Sequence, residues 1–349
     1  MSMSGANTFV AVIIPVLNES GYIERCLRSL MNNTYDRDKL EILVFDGGSA
    51  DDTRQIVSDL AAEYPQIRLL DNPKKFISPA FNHGVRIARG DIIIRFDGHS
   101  EACPDYIQKN IEVLAEHPDA WCVGGPVQTV SENTTGKIIA AAMSCPIGVG
   151  NAHFRLGTHE GYVDTIMYGA YRKEALLKVG PVDESLVRTE DDDLHFRMIK
   201  AGGRFYLSQK IKSLYYCRGS IKKLWSQYYQ YGYWRIPTIL KHGQPATLRQ
   251  IVPVLFVLGW LILIAAALLW PPAVYALLLF AALYVLTLLA GAALAIKKNG
   301  LKIGIATPLI FPILHFSYGL GSLAAIWHFL IRRRKLPRPP ADEEHNRRP

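Results

Sequence analysis

Gly90-Asp-Ile-Ile-Ile-Arg-Phe-Asp-Gly-His-Ser100 sets three adjacent β-branched residues, Ile92, Ile93 and Ile94, between a glycine and a polar turn. Such a run predicts a short strand buried on both faces, as in a parallel sheet. The strand ends at Asp97-Gly98-His99, where a carboxylate and an imidazole flank a glycine. Open α/β sheets bind ligands at the carboxyl edge of their strands, so this pair can hold a divalent cation there. Oxygen and imidazole donors together suit Mn²⁺ better than Mg²⁺, and a water can stand between His99 and either ion. Asp-Gly also marks ordinary surface turns, and from this stretch alone both readings stay open.

The chain leading up to it alternates strand and helix. Phe9–Leu17 predicts a first strand that runs out into Asn18-Glu19. Ser20 then offers an N-cap to a helix through about Met31, with Ile23, Leu27 and Leu30 on one face. Glu41–Phe45 is a second strand closing on Asp46-Gly47-Gly48-Ser49, and a helix follows from Arg54 to about Glu63. Ile67–Leu70 and a helix over Ser78–Ala88 complete a β-α-β-α-β pattern, which implies a doubly wound, mostly parallel sheet. Asp46 reads either as a carboxylate accepting from a nucleotide's base or ribose donors, or as a turn acid beside two glycines. Neither G-x-x-x-x-G-K-[ST] nor G-x-G-x-x-G occurs, so ATP hydrolysis and hydride transfer both lack their signature.

Charge and hydropathy divide the 349 residues unevenly. No charged residue occurs from Ile251 to Ile296, or from Ile303 to Ile331 if His315 and His328 are neutral. Runs of that length predict membrane segments over 251–270, 274–296 and 303–331. Pro308, Pro312, Gly319 and Gly321 interrupt the last one. A broken or re-entrant path would keep Arg332-Arg333-Arg334-Lys335 on the cytoplasmic side, as the positive-inside rule prefers. The tail over 332–349 is basic, proline-rich and expected to be disordered. The N-terminal apolar run contains Pro15 and reads as a strand, not a secretory signal. Five scattered cysteines without C-x-x-C spacing fit reduced thiols in a cytosolic domain.

The formal charge of +8 is concentrated before the membrane part: between Gly202 and Gln250 there are lysines and arginines but no Asp or Glu. Such a stretch suits anionic lipid head groups or a phosphate-bearing substrate. No nucleic-acid module accompanies it, so nucleic acid is excluded as a partner. Ile221, Leu224, Trp225, Tyr228 and Tyr231 recur at helical spacing, predicting a basic, aromatic amphipathic helix lying in the interface. Upstream, Glu190-Asp191-Asp192-Asp193 follows Thr189 and precedes Leu194, Phe196 and Met198. Four carboxylates at a helix start can simply complement its dipole, or one of them can serve as a base. His195 lies one turn beyond Asp191, within reach of it or packed beside it.

Taken together, Pro15-Val-Leu-Asn18-Glu19, Asp46-Gly-Gly-Ser49, Asn82-His-Gly84, Ala88-Arg-Gly-Asp91, Asp97-Gly-His99, Gly169-Ala-Tyr-Arg-Lys173, Val179-Gly-Pro-Val-Asp-Glu184, Thr189-Glu-Asp191 and Leu194-His-Phe-Arg197 resemble the family 2 nucleotide-sugar glycosyltransferases. The likeness spans roughly the first two thirds of the chain and is greatest to the membrane-anchored transferases of bacterial exopolysaccharide assembly, succinoglycan biosynthesis included. It implies a GT-A fold over 1–218, a basic interfacial region over 219–250 and membrane segments over 251–331. It also implies a donor site at Pro15, Asn18, Glu19, Asp46, Asn82, Asp97 and Gly98, with Mn²⁺ or Mg²⁺ held by Asp97 and by His99, which replaces the family's second carboxylate. Asp191, in the family's T-E-D, becomes the catalytic base, with Glu190 beside it. Gly169, Ala170 and Arg218 are carried to the acceptor and diphosphate as well, and so are Gln230, Trp234 and Arg235, these three by loose likeness to the family's Q-x-x-R-W. Trp234 reads equally as a membrane-interface anchor.

The expected function is inverting transfer of one hexose from a UDP-sugar to a polyprenyl-diphosphate-linked oligosaccharide. The expected place is the cytoplasmic face of the inner membrane, beside membrane lipids and other exopolysaccharide assembly proteins. A processive polysaccharide synthase and a catalytically silent nucleotide-sugar-binding scaffold are the alternatives.

Overall fold

A computed structural model describes residues 8–217, 219–245 and 247–334. Its strands are β1 (Val10–Val16), β2 (Leu40–Asp46), β3 (Ile67–Asp71), β4 (Ile92–Arg95), β5 (Ser100–Ala102), β6 (Ala120–Gly124), β7 (Val127–Val130), β8 (Gly161–Val163), β9 (Ala170–Arg172), β10 (Arg204–Leu207) and β11 (Ser213–Tyr216). Eight of them form one sheet in the order β3-β2-β1-β4-β9-β6-β10-β8. Only β9 and β8 run against the rest.

Both faces of this sheet are covered, which is why its strands read as continuous apolar runs instead of alternating ones. Val10, Val12, Ile14, Ile92 and Ile94 pack with Ile23, Leu27 and Leu30 of helix Ile23–Met31 on one face. Ala11, Ile13, Phe45 and Ile93 pack with Ala80, Phe81 and Val85 of helix Ile77–Ile87 on the other. The parallel register pairs Val16 with Asp46 and Ile13 with Arg95, so the loops leaving β1, β2 and β4 emerge at one edge. A second sheet, β5-β11-β7, stands beside that edge. Its strands are three or four residues long, too short to carry a clear period in the sequence.

Two predicted helix starts differ in detail. The first helix begins at Ile23 after Tyr22 with no side-chain cap, and the Ser20 N–H outside it donates to Asp51. Thr189 occupies the N-cap position of helix Glu190–Lys200, but its hydroxyl points away, to Trp234 O and Thr238.

Beyond the sheets, helix Ile221–His242 starts on Ser220, whose hydroxyl accepts from the Lys223 N–H at 3.3 Å. Three apolar segments follow, each long enough to cross a membrane: Val252–Leu269, Ala273–Asn299 and Leu301–Ile331. On the first two, leucines such as Leu268 and Leu269 are 81% and 87% exposed. Side chains this apolar and this bare need a hydrocarbon solvent, so these are the C-terminal membrane spans of the chain.

The third segment is built differently. It is broken into Leu301–Gly304, Thr307–Leu309, Phe311–Ile326 and a wide final turn, Trp327–Ile331. In its most apolar window 44% of residues are buried, against 11% in each of the other two, so protein covers much of it. The cover is helix Ile221–His242. A Cβ on Gly232 would stand 1.9 Å from Tyr318 O, and one on Gly321 would stand 2.1 Å from Tyr229 O. Glycine at both places lets the two backbones touch, and Ser322 Oγ donates to Gly232 O at 3.1 Å.

Candidate active site

One cleft of about 970 Å³ starts at the sheet edge and continues between the membrane helices. Pro15, Glu19, Arg95, Asp97 and His99 line its sheet end, and Phe256, Phe280 and Tyr284 line its membrane end. Glu190, Asp191 and Asp192 enter from the start of helix Glu190–Lys200, and Tyr228, Tyr231 and Arg235 from helix Ile221–His242.

Arg95 is the hub of the acidic end. Its guanidinium lies 3.8 Å from Asp97 Oδ1, 3.3 Å from Glu190 Oε1 and 3.9 Å from Asp191 Oδ2. It thereby ties the end of β4 to the acidic helix start. Asp97 also accepts from the Tyr168 hydroxyl at 3.0 Å. Of the adjacent acids, Glu190 is nearly fully buried, and burial raises its pKa to about 7 against the attraction of Arg95, with Asp191 adding to the rise. The Asp191 side chain is 45% exposed and faces the cleft. Asp192 pairs with Arg235 at 2.7 Å; burial opposes its ionisation, yet the arginine holds its pKa below the usual range. Asp193 is buried on Arg197 and Lys241. His195 bonds Thr165 and Tyr171 instead of reaching Asp191, and burial lowers its pKa, favouring the neutral ring.

The loops beside this cluster are held by the expected donor-site residues. Asn18, with φ of 56°, accepts from the Ala50 N–H through its side chain, and its own N–H donates to Ser49 Oγ. Asp46 accepts from the N–H groups of Gly48 and Ser49, the Ser49 hydroxyl and Arg54. Burial works against its charge, but these bonds keep its pKa below the ordinary value. Asn82 is buried and spends its amide on Val182 and Glu184, bracing the loop that precedes the acidic helix. Gly98 packs against Val16, where a Cβ would come within 2.9 Å of Cγ1.

Other predicted residues are not brought to the cleft. Gly169 and Ala170 sit at the start of β9 in the sheet, Gly169 against Cys122 Sγ. Gln230 accepts from Arg188, and Trp234 packs its ring on Tyr233; neither lines the cleft. The same helix instead presents Gln227 and Tyr231 there, one turn apart and bonded to each other at 3.1 Å. The spacing Gln227-x-x-Gln230-Tyr231 carried that signal in the sequence, three residues before Gln230-x-x-x-Trp234. Arg95 was visible too, as a charge interrupting an apolar strand. Arg218 lies outside the described residues.

The fit of a divalent ion rests on few protein donors. Among the described residues no three His, Cys, Asp or Glu side chains converge as a closed metal site. Asp97 faces the cleft, and His99 does so with Nδ1 held at 2.9 Å from Glu19 Oε1, the second-sphere pairing that orients an imidazole. One or two protein donors fit Mg²⁺ or Mn²⁺ when substrate phosphates complete the shell, which is the usual arrangement for these ions.

A mostly parallel sheet with an acidic carboxyl edge, opening onto membrane helices, fits the membrane-anchored GT-A fold that the sequence resemblance implies. Comparison with known proteins agrees. Residues 11–179 match glycosyl transferase family 2. The chain is 35% identical over 250 residues to the succinoglycan biosynthesis protein ExoA of Rhizobium meliloti, covering 71% of this chain and 75% of that one. It is 32% identical over 232 residues to a dolichyl N-acetyl-α-D-glucosaminyl phosphate 3-β-D-2,3-diacetamido-2,3-dideoxy-β-D-glucuronosyltransferase of Methanococcus voltae, covering 64% and 72%. In fold it is similar to the mannosyltransferase PcManGT of Pyrobaculum calidifontis, solved with GDP-Man and Mn²⁺, at a TM-score of 0.59 and 18% identity over 92% and 88% of the two chains. The chain belongs to glycosyl transferase family 2.

Proposed function

We propose that the enzyme is a metal-dependent, inverting transferase that moves one hexose, of the glucose type, from a UDP-sugar to a polyprenyl-diphosphate-linked oligosaccharide in exopolysaccharide assembly. The observation that carries this reading is the cleft itself. It joins the carboxylates at the ends of β4 and of the acidic helix to a lining of membrane helices, so a water-soluble donor and a lipid-borne acceptor can meet in it. The relative named for a dolichyl-linked saccharide phosphate supports a lipid-linked acceptor, and the one named for succinoglycan biosynthesis supports exopolysaccharide assembly.

Asp97 and His99 would hold Mn²⁺ or Mg²⁺, which neutralises the departing diphosphate when bound. Asp191 faces the cleft and takes the proton from the acceptor hydroxyl, on the opposite side of the anomeric carbon. Arg95 keeps Asp191 and Glu190 in position relative to Asp97. Asn18, Asp46 and Gly98 shape the donor loops, and Glu19 steadies His99. Arg235 fixes Asp192 next to the base. With the chain in the inner membrane, the catalytic domain faces the cytoplasm, where nucleotide sugars are made.

Protein purified into lipid nanodiscs is incubated with Mn²⁺ or Mg²⁺, a panel of UDP- and GDP-sugars, and lipid-linked saccharides from the source membrane. Release of nucleoside diphosphate that requires both metal and acceptor is the expected result. Absence of turnover with every donor, or a polymeric product, would overturn the proposal.

A further inference from the structure

Five arginines line the cleft: Arg95, Arg155, Arg188, Arg235 and Arg249. Arg95 is spent on Asp97, Glu190 and Asp191, Arg235 on Asp192, and Arg249 on Asp164. Arg188 is exposed and donates to Gln230. Arg155 differs from all of these. Among the described residues it forms no ion pair with a carboxylate, and its one hydrogen bond there is a long one, 3.4 Å from Nη1 to Thr129 Oγ1. Its guanidinium lies 5.3 Å from the centre of the Tyr215 ring, and Tyr228, Tyr231 and Tyr168 are its other phenolic neighbours.

A guanidinium half-buried against phenols, with no carboxylate counter-ion among the described residues, is stabilised when an anion joins it. Arginine suits phosphate especially, through its planar fork of donors. A second observation points to the same ligand. Gln227 Oε1 is a buried acceptor without a partner, while its Nε2 donates to the hydroxyls of Tyr215 and Tyr231. An acceptor waiting for a donor, beside tyrosine faces, suits a sugar hydroxyl.

We infer that Arg155, collared by Tyr215, Tyr228 and Tyr231, is a phosphate subsite for the head group of the lipid-linked acceptor, with Gln227 receiving a hydroxyl of its first sugar. The inference rests on the proposed lipid-linked acceptor. A nucleotide sugar carries the same diphosphate chemistry. Tyr215 also packs on His99 at 5.4 Å, so Arg155 lies between the sites of the two. What favours the lipid is that Tyr228 and Tyr231 belong to the helix that packs on the membrane segments, whereas the donor loops leave β1, β2 and β4.

The test measures binding without turnover. Nanodisc-embedded wild type, Arg155→Gln, Arg155→Lys and Gln227→Glu are titrated with farnesyl diphosphate, farnesol and UDP, with thermal unfolding confirming that each variant is folded. Removing one charge-assisted hydrogen-bond donor should weaken farnesyl diphosphate about 10- to 100-fold in Arg155→Gln, leaving farnesol and UDP unchanged. Arg155→Lys, which keeps the charge but not the fork, should fall between wild type and Arg155→Gln. Gln227→Glu, which sets a carboxylate in the collar, should lose it even if Arg155→Gln does not fold. Unchanged farnesyl diphosphate binding in Arg155→Gln or, where that variant does not fold, in Gln227→Glu would overturn the inference. So would a loss confined to UDP, which would move Arg155 to the donor. Arg155-dependent farnesyl diphosphate binding in a protein that transfers no sugar would sink the proposed function and leave this subsite standing.

Discussion

The two ends of the cleft solve opposite electrostatic problems. At the sheet end, Asp97, Glu190 and Asp191 crowd together and a single guanidinium, Arg95, keeps them from repelling one another. Toward the helix Ile221–His242, Arg155 lies beside the Tyr215 ring and pairs with no described carboxylate. Acids clustered around one cation suit a site that gains a metal ion and accepts a proton. A cation among phenols suits one that gains an anion. Charge is left incompletely balanced at each end in the sense that its proposed ligand would correct.

The largest effect is expected at the acidic end. Asp191→Asn keeps the shape of the side chain but removes the proton acceptor, so turnover should fall about 10²–10⁴-fold while donor binding survives. Near-normal turnover in that variant, with Glu190→Gln inactive, would transfer the base to the buried neighbour.

Asp97→Asn should act on binding and chemistry together. Metal-dependent affinity for UDP should weaken, and turnover should drop by about 10²-fold, the scale of losing one electrostatic stabiliser of the transition state. Titration of UDP with and without Mn²⁺ checks it: an unaltered metal requirement would separate Asp97 from the ion.

A smaller effect, on stability, is expected where the two ends are joined mechanically. Gly232→Val drives a side chain into the Tyr318 backbone, 1.9 Å from where its Cβ would sit. Overpacking of this kind costs about 1–3 kcal/mol, and it should lower the melting temperature. Because Tyr231 and Arg235 flank the substitution, acceptor KM should rise more than donor KM. An equal rise in both would argue against a division of labour between the ends.

The smallest expected effect is a pH slope. Folded Glu190 keeps its proton up to about pH 7, whereas in the unfolded chain it would release it near 4.5. The stability this proton brings is therefore present in full below pH 4.5 and is lost as pH rises to about 7. Glu190→Gln lacks that loss, so its melting temperature relative to wild type should climb between pH 5 and pH 8. Parallel curves would show that Arg95 already offsets the burial of the charge.

Much of the acidic end was legible in the sequence, because its parts are local. Asp97 ends a strand whose three isoleucines announce it, and Glu190–Asp193 stand at a helix start. The surroundings of Arg155 were not. Arg155 lies on a single turn, His153–Leu156, and β7 and β11 beside it have four residues each. No period develops over such lengths, and an isolated arginine has no pattern to distinguish it from a solvated one.

By itself the sequence determined which segments could be buried and in what solvent. Apolar runs bounded by turns specified the strands, and runs without charge specified the membrane helices, since hydrophobic burial depends on composition and period alone. Only the tertiary structure decided which side chains of the helix Ile221–His242 face the cleft, and it presented Gln227 and Tyr231 instead of Gln230 and Trp234. That choice turns on the rotation of the helix about its axis, which is set by the contact of Gly232 and Gly321 with the facing backbones. It likewise decided which arginines found a carboxylate. Residues as far apart as Arg95 and Asp191 meet only once the chain has closed, because the Coulomb attraction that pairs them depends on distance in space, not on separation along the chain.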